Sequence, residues 1–149
     1  MRRRLRAGDD GGQVMVLTLG AVLIAVALVL VVASAAQVHL ERKRLLALAD
    51  VLALEAADAV PDQVYYDVDG TRIVLTDASV RASVEDYLAA HPDQSAGLRG
   101  FAVVRADAPD ALTARVHLSA RVVPSATAWV LAAWSDGITI EAEAHATSG

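Results

Sequence analysis

Residues 14–38 read VMVLTLGAVLIAVALVLVVASAAQV, a run without a single charged side chain. Thr18, Ser34 and Gln37 are its only clearly polar residues. A helix of about 25 residues is roughly 37 Å long, more than the ~30 Å hydrocarbon core of a bilayer. Ser and Thr bond back to their own helix and cost little in lipid. The run predicts a transmembrane helix over residues 13–38, with the lipid bilayer as its surroundings. The preceding segment, residues 1–12, is a basic tail with Arg2, Arg3, Arg4 and Arg6 against Asp9 and Asp10. Arg42, Lys43 and Arg44 follow the span. Four arginines and the α-amino group outweigh three cations, and acidic residues count little in this rule. The expected orientation is single-pass in the plasma (inner) membrane, N-terminus cytoplasmic, remainder extracytoplasmic. A cleaved signal peptide is the competing reading, because Ala33-Ser34-Ala35 fits a small-x-small cleavage site. The apolar stretch before it exceeds the usual ~7–15 residues, which favours a retained anchor.

The helix is expected to continue beyond the membrane, as an extension over residues 39–60. Gln37 to Ala59 contains no Gly or Pro and is rich in good helix formers. Leu45, Leu48, Leu52, Ala56 and Ala59 recur at spacings of three and four and make one apolar stripe, and Pro61 ends the run. The whole would be one helix of roughly 45 residues, about 65–70 Å long. The stripe has two candidate destinations, its own domain or a partner helix. On the second reading Leu45, Leu48, Leu52 and Ala56 are the helix-interface candidates.

Residues 61–149 alternate short β and α patterns. Tyr65-Tyr66 precedes an Asp69-Gly70 turn, Thr71–Thr76 reads as a strand, and Asp77 is placed to cap a helix from Ala78 to about His91. Val80, Val84, Tyr87 and Leu88 share the inner face of that helix. Pro92 and Gly97 mark a loop, Arg99–Ala106 a strand and Ala108-Pro109-Asp110 a turn. Over Ala111–Val122, apolar residues alternate with Thr113, Arg115, His117, Ser119 and Arg121, the period of a strand with one buried face. Ser125–Trp134 reads as a short helix, Asp136-Gly137 as a turn, and Ile138–Thr147 as a last alternating strand. Val116, Leu118, Ile138 and Ile140 are its expected core. The fold class is therefore α+β: a long N-terminal transmembrane helix leaving the membrane, then a four-stranded antiparallel sheet with two helices. The order β-α-β-β-α-β is that of a ferredoxin-like sandwich. A pilin-like meander with the long helix across it is the rival.

Composition narrows the function. The 149 residues are 55% hydrophobic with a formal net charge of −5 and no cysteine. Thiol catalysis and cysteine metal sites are excluded. Six arginines stand against twelve carboxylates from Pro61 onward, so the outer domain is acidic and nucleic acid is not an expected partner. His39, His91, His117 and His145 lack metal-ligand spacing. His117 and His145 would meet near Glu141 or Glu143 if their strands pair, and solvated strand residues are the ordinary reading of them. Asp67-Val68-Asp69-Gly70 is a turn rather than a calcium loop, since the third acidic position and closing Glu are missing. Glu141 and Glu143 have no apolar surroundings to raise a pKa. No phosphate loop or nucleophile elbow is present. No enzyme, cofactor or metal site is expected. Trp129 and Trp134 lie on a segment apolar nearly all round, which is either a core lid or a docking surface for membrane or partner.

Two stretches carry a family likeness. Asp10-Gly11-Gly12-Gln13-Val14 leads into the apolar helix. After it come Glu41-Arg42-x-Arg44-Leu45 and Ala47-x-Ala49-Asp50-x-x-Ala53-Leu54-x-Ala56-Ala57. This resembles the N-terminal region of TadE/TadG-like proteins of the Flp (tight-adherence, Tad) pilus system, over about residues 8–60. Ile140-x-Ala142-x-Ala144-x-Ala146 also looks like their last strand. The resemblance implies a bacterial cell-envelope component, pseudopilin-like in shape, partnered by other Tad pilus-assembly or pseudopilin subunits and by copies of itself. Prepilins of that system carry Glu at the fifth mature position. A cut after Gly12 would put Leu17 there, so the resemblance implies the unprocessed, TadG-like branch. The alternative is a binding module, anchored or secreted, that holds a ligand on its sheet face.

Overall fold

The computed structural model describes residues 10–59, 74–124 and 137–148. The N-terminal helix, α1, runs unbroken from Asp10 to Asp58, 49 residues, or about 73 Å at the α-helical rise. It joins the predicted span and extension without an interruption. Inside the apolar run, the Thr18 hydroxyl donates to the Val14 carbonyl and the Ser34 hydroxyl to that of Leu30, both at 2.8 Å. Those bonds satisfy the two hydroxyls without water.

Helix α2 spans Asp77–Ala90 and a single helical turn, α3, spans Asp93–Ala96 within the expected loop. The cap of α2 falls one residue earlier than the sequence suggests. Thr76 is the N-cap, and it forms a reciprocal capping box with Ser79. Asp77 sits in the first turn, where its carboxylate accepts the Ala108 backbone N–H at 2.9 Å. That tie to the next turn is a long-range contact with no local signature.

Three strands follow: β1 (Arg99–Asp107), β2 (Thr113–Val122) and β3 (Ile138–Thr147). They form an antiparallel sheet in the order β1-β2-β3. In a ferredoxin-like sandwich the strands in the positions of β2 and β3 are parallel and separated by the first strand. Here they are antiparallel neighbours, paired from Thr113↔Thr147 to Val122↔Ile138. The ferredoxin-like order is thereby corrected to a meander among the described strands. The physical reason is matching faces: Ala114, Val116, Leu118 and Ala120 lie opposite Ala146, Ala144, Ala142 and Ile140, so one continuous apolar surface forms. Of the expected strand Thr71–Thr76, residues 71–73 lie outside the described residues. Residues 74–76 form no strand, although the Leu75 N–H donates to the Ala111 carbonyl at 2.9 Å. The expected helix Ser125–Trp134 also lies outside the described residues.

Helix α1 lies across β2 and β3, and α2 packs beside α1 toward β1. The core between the layers joins Leu45, Leu48 and Leu52 of α1 to Val80 and Val84 of α2 and to Val116 and Leu118 of β2. Ala49, Ala53, Ala56 and Ala57 of α1 meet a sheet face that is itself rich in alanine. Small side chains on both surfaces let the helix settle close to the strands. Ile140 is buried as expected, but Ile138 is 48% exposed. It pairs with Val122 at the very end of the ladder. Strand β1 is an edge with two irregularities in its register, and Gly100 within it has φ +56°. Gly137 opens β3 with φ +105°, and a Cβ there would lie 2.8 Å from the Val122 carbonyl oxygen.

Candidate functional site

The apolar run of α1 projects from the domain with its large side chains in the open. Val14, Met15, Leu23, Ile24, Val29 and Val32 are all exposed. A helix of this length and composition is long and apolar enough to cross a membrane. From Val38 onward the same helix packs against the core, so the domain begins where the apolar run ends.

The stripe of helix-interface candidates is brought together, but inward. Leu45 and Leu52 are fully buried, Ala56 is 1% exposed and Leu48 5% exposed, all against the chain's own sheet and α2. The reading of these four as a free seam for a partner helix is corrected: they are the core. The cause is proximity, since the alanine-rich sheet face needs an apolar cover and α1 lies directly across it. On the same segment Leu40, Leu46, Val51 and Leu54 stay exposed. Val51 borders a 430 Å³ crevice between α1 and the α3 turn, lined also by Arg44, Ala47, Asp93 and Leu98. The docking candidates Trp129 and Trp134 lie outside the described residues.

The face of the sheet turned away from the helices is polar. Arg115 grips Asp107 with two hydrogen bonds, Nε to Oδ1 at 2.8 Å and Nη2 to Oδ2 at 2.6 Å. Arg105 approaches the same carboxylate at 3.8 Å. The hydrogen bonds from Arg115 hold Asp107 below the usual carboxylate range and raise Arg115 in return. At the β1–β2 turn, Asp110 accepts the backbone N–H groups of Leu112 and Thr113 at 2.9 and 2.8 Å, and those bonds lower its pKa too. His117 lies 3.4 Å from Glu141 and His145 3.2 Å from Glu143. The two histidines therefore stand on one face near the two glutamates, as the strand phases suggest. Among the described residues no three such side chains converge as a metal site would require. The Arg105–Asp107–Arg115 cluster is not legible in the sequence, because its members meet only once β1 and β2 pair. The alternation of Arg105 and Asp107 within a strand is the one local signal of it.

No protein-family model, no curated protein and no solved structure matches this chain.

Proposed function

We propose that the protein is a single-pass membrane anchor with a rigidly attached outer domain, acting as a structural or assembly component, pseudopilin-like, of a Flp/Tad-type pilus or secretion system. The observation that carries this is α1: one helix whose first half is apolar and exposed and whose second half is the spine of the domain. Lipid is the surroundings in which that exposed half costs nothing. The N-terminus is cytoplasmic and the sheet domain extracytoplasmic, following the balance of cations around the span. The protein performs no catalysis, takes no cofactor and binds no nucleic acid on this reading. The TadE/TadG-like spacing around residues 8–60 supports the assignment to a pilus system.

Association with other subunits falls to the exposed span and to Leu40, Leu46, Val51 and Leu54, since the inner stripe is occupied. The test is deletion of the gene in its own bacterium, with surface pili counted by electron microscopy and the membrane fraction analysed by mass spectrometry. Loss of pili, with the wild-type chain recovered intact from membranes and restoring them, is the expected result. Normal piliation in the deletion strain rejects the pilus role. A product beginning near Ala36 and free in the medium rejects the anchor.

A further inference from the structure

Five cations from three separate elements gather at the end of the domain where the apolar run stops. Arg42, Lys43 and Arg44 follow each other on α1, all exposed. Arg99 begins β1 and Arg121 sits near the end of β2, and the two are register partners. Arg99 and Arg121 line a crevice whose other wall is Gln37 and Glu41 of α1. Arg44 lines the adjoining crevice, which shares Gly97 and Leu98 with the first. Against these cations the described residues place Glu41, 3.6 Å from Arg44, and Asp93. Arg42, Lys43, Arg99 and Arg121 make no ion pair among the described residues. At the opposite end of the domain, around Ala108, stand the carboxylates Asp77, Asp107 and Asp110.

We propose that this basic end binds the headgroups of anionic phospholipids in the leaflet next to the domain. The inference rests on the membrane-spanning reading of α1 and deepens it. Height supports it. Arg42 and Lys43 lie about 6–8 Å past Val38 along the helix, at the outer edge of a headgroup layer about 5–8 Å deep on each side of a ~30 Å hydrocarbon core, where long cationic side chains reach headgroups. Arg99 and Arg121 stand across the crevice from Gln37 and Glu41, in the turn of α1 just before Arg42 and Lys43. Charge supports it as well. The outer domain is acidic overall, with six arginines against twelve carboxylates from Pro61 onward, so an anionic surface repels it unless its cations lead. Here they lead, and a helix without Gly or Pro between Gln37 and Ala59 keeps them there.

The experiment uses the full chain in vesicles of phosphatidylcholine, alone or with a third of phosphatidylglycerol. Arg2, Arg3, Arg4 and Arg6 are changed to Gln throughout, so that the tail does not contribute. Flotation with the neutral vesicles comes first. Spin-labelled phosphatidylglycerol and phosphatidylcholine then report which lipid is held at the protein. The expected result is selectivity for phosphatidylglycerol that weakens with salt. It falls at least about fivefold in Arg42→Gln/Lys43→Gln/Arg99→Gln/Arg121→Gln, the change that the ~1 kcal/mol of even one surface cation amounts to. Arg42→Lys/Arg99→Lys/Arg121→Lys keeps the selectivity, which separates charge from any loss of fold. Protein that floats without selectivity, or selectivity unchanged in the quadruple variant, overturns the headgroup site and leaves the anchor standing. Protein that fails to float with neutral vesicles overturns the anchor and this inference together.

Discussion

Removing α1 from the domain should unfold it. Among the described residues nineteen apolar side chains are buried, and seven of them belong to α1. Three are leucines, worth about 1.5–3 kcal/mol each when fully buried, and four are alanines at ~0.8 kcal/mol each. The helix therefore contributes roughly 8–12 kcal/mol of burial, an upper figure because unfolded chains already hide some surface. A domain of this size has a net stability of only about 5–15 kcal/mol. Chain 61–149, expressed alone, should lack amide dispersion in NMR spectra and unfold without a cooperative transition. Chain 37–149, which keeps the docked half of α1 and omits most of the span, should fold and unfold cooperatively. A well-dispersed spectrum and a sharp transition from chain 61–149 would show that the sheet does not depend on the helix. The stripe would then be free for a partner after all.

Val116 is fully buried on the inner sheet face while His117 faces out, so Val116→Asp should abolish folding of chain 37–149 and His117→Thr should leave its melting temperature within a few degrees. Equal tolerance of both would contradict the register. Gly137→Ala should destabilise by about 1–3 kcal/mol in urea titration, since the backbone there is at φ +105° and the new methyl group meets a carbonyl. Asp107 is held below its ordinary pKa by Arg115, so its stabilisation is complete above the unfolded carboxylate value of about 4 and is lost as pH falls through the folded value. Asp107→Asn should cost about 1 kcal/mol at neutral pH and flatten the acid limb of a stability-versus-pH curve. An acid limb as steep as that of the unaltered chain would remove Asp107 from the explanation.

Elements with a single strong period are legible in the residues alone. The uncharged run from Val14, the helix formers to Ala59, and the alternation through Val116 and Leu118 all depend on nearest neighbours along the chain. Cross-strand topology does not. The strands ending at Val122 and beginning at Ile138 alternate equally well in a ferredoxin-like order and in a meander, and only the apposed alanine faces decide between them. Ile138 reads as core because its neighbours alternate, yet it stands at the last position of the ladder and is half exposed. Thr76 and Asp77 are both good capping residues; Thr76 caps through its box with Ser79, while the Asp77 carboxylate accepts the N–H of Ala108, thirty-one positions away. The leucine stripe has the same spacing whether its cover is its own sheet or another molecule. The basic end is only half legible along the sequence: Arg42, Lys43 and Arg44 follow one another, but Arg99 and Arg121 join them only through folding.

The unbroken α1 has a mechanical consequence. A helix without a hinge between the apolar run and the docked half behaves as a stiff shaft, and the sheet is fastened along its upper portion. If the apolar run spans a membrane as proposed, any lean or spin of the shaft there is passed to the sheet in full. Spans in bilayers lean by about 20° on average, which carries the far end of a docked segment ~30 Å long sideways by roughly 10 Å. On the membrane-spanning reading, bilayer thickness, one contributor to that lean, thus becomes a dial for the bearing of the carboxylates around Asp107 and Asp110.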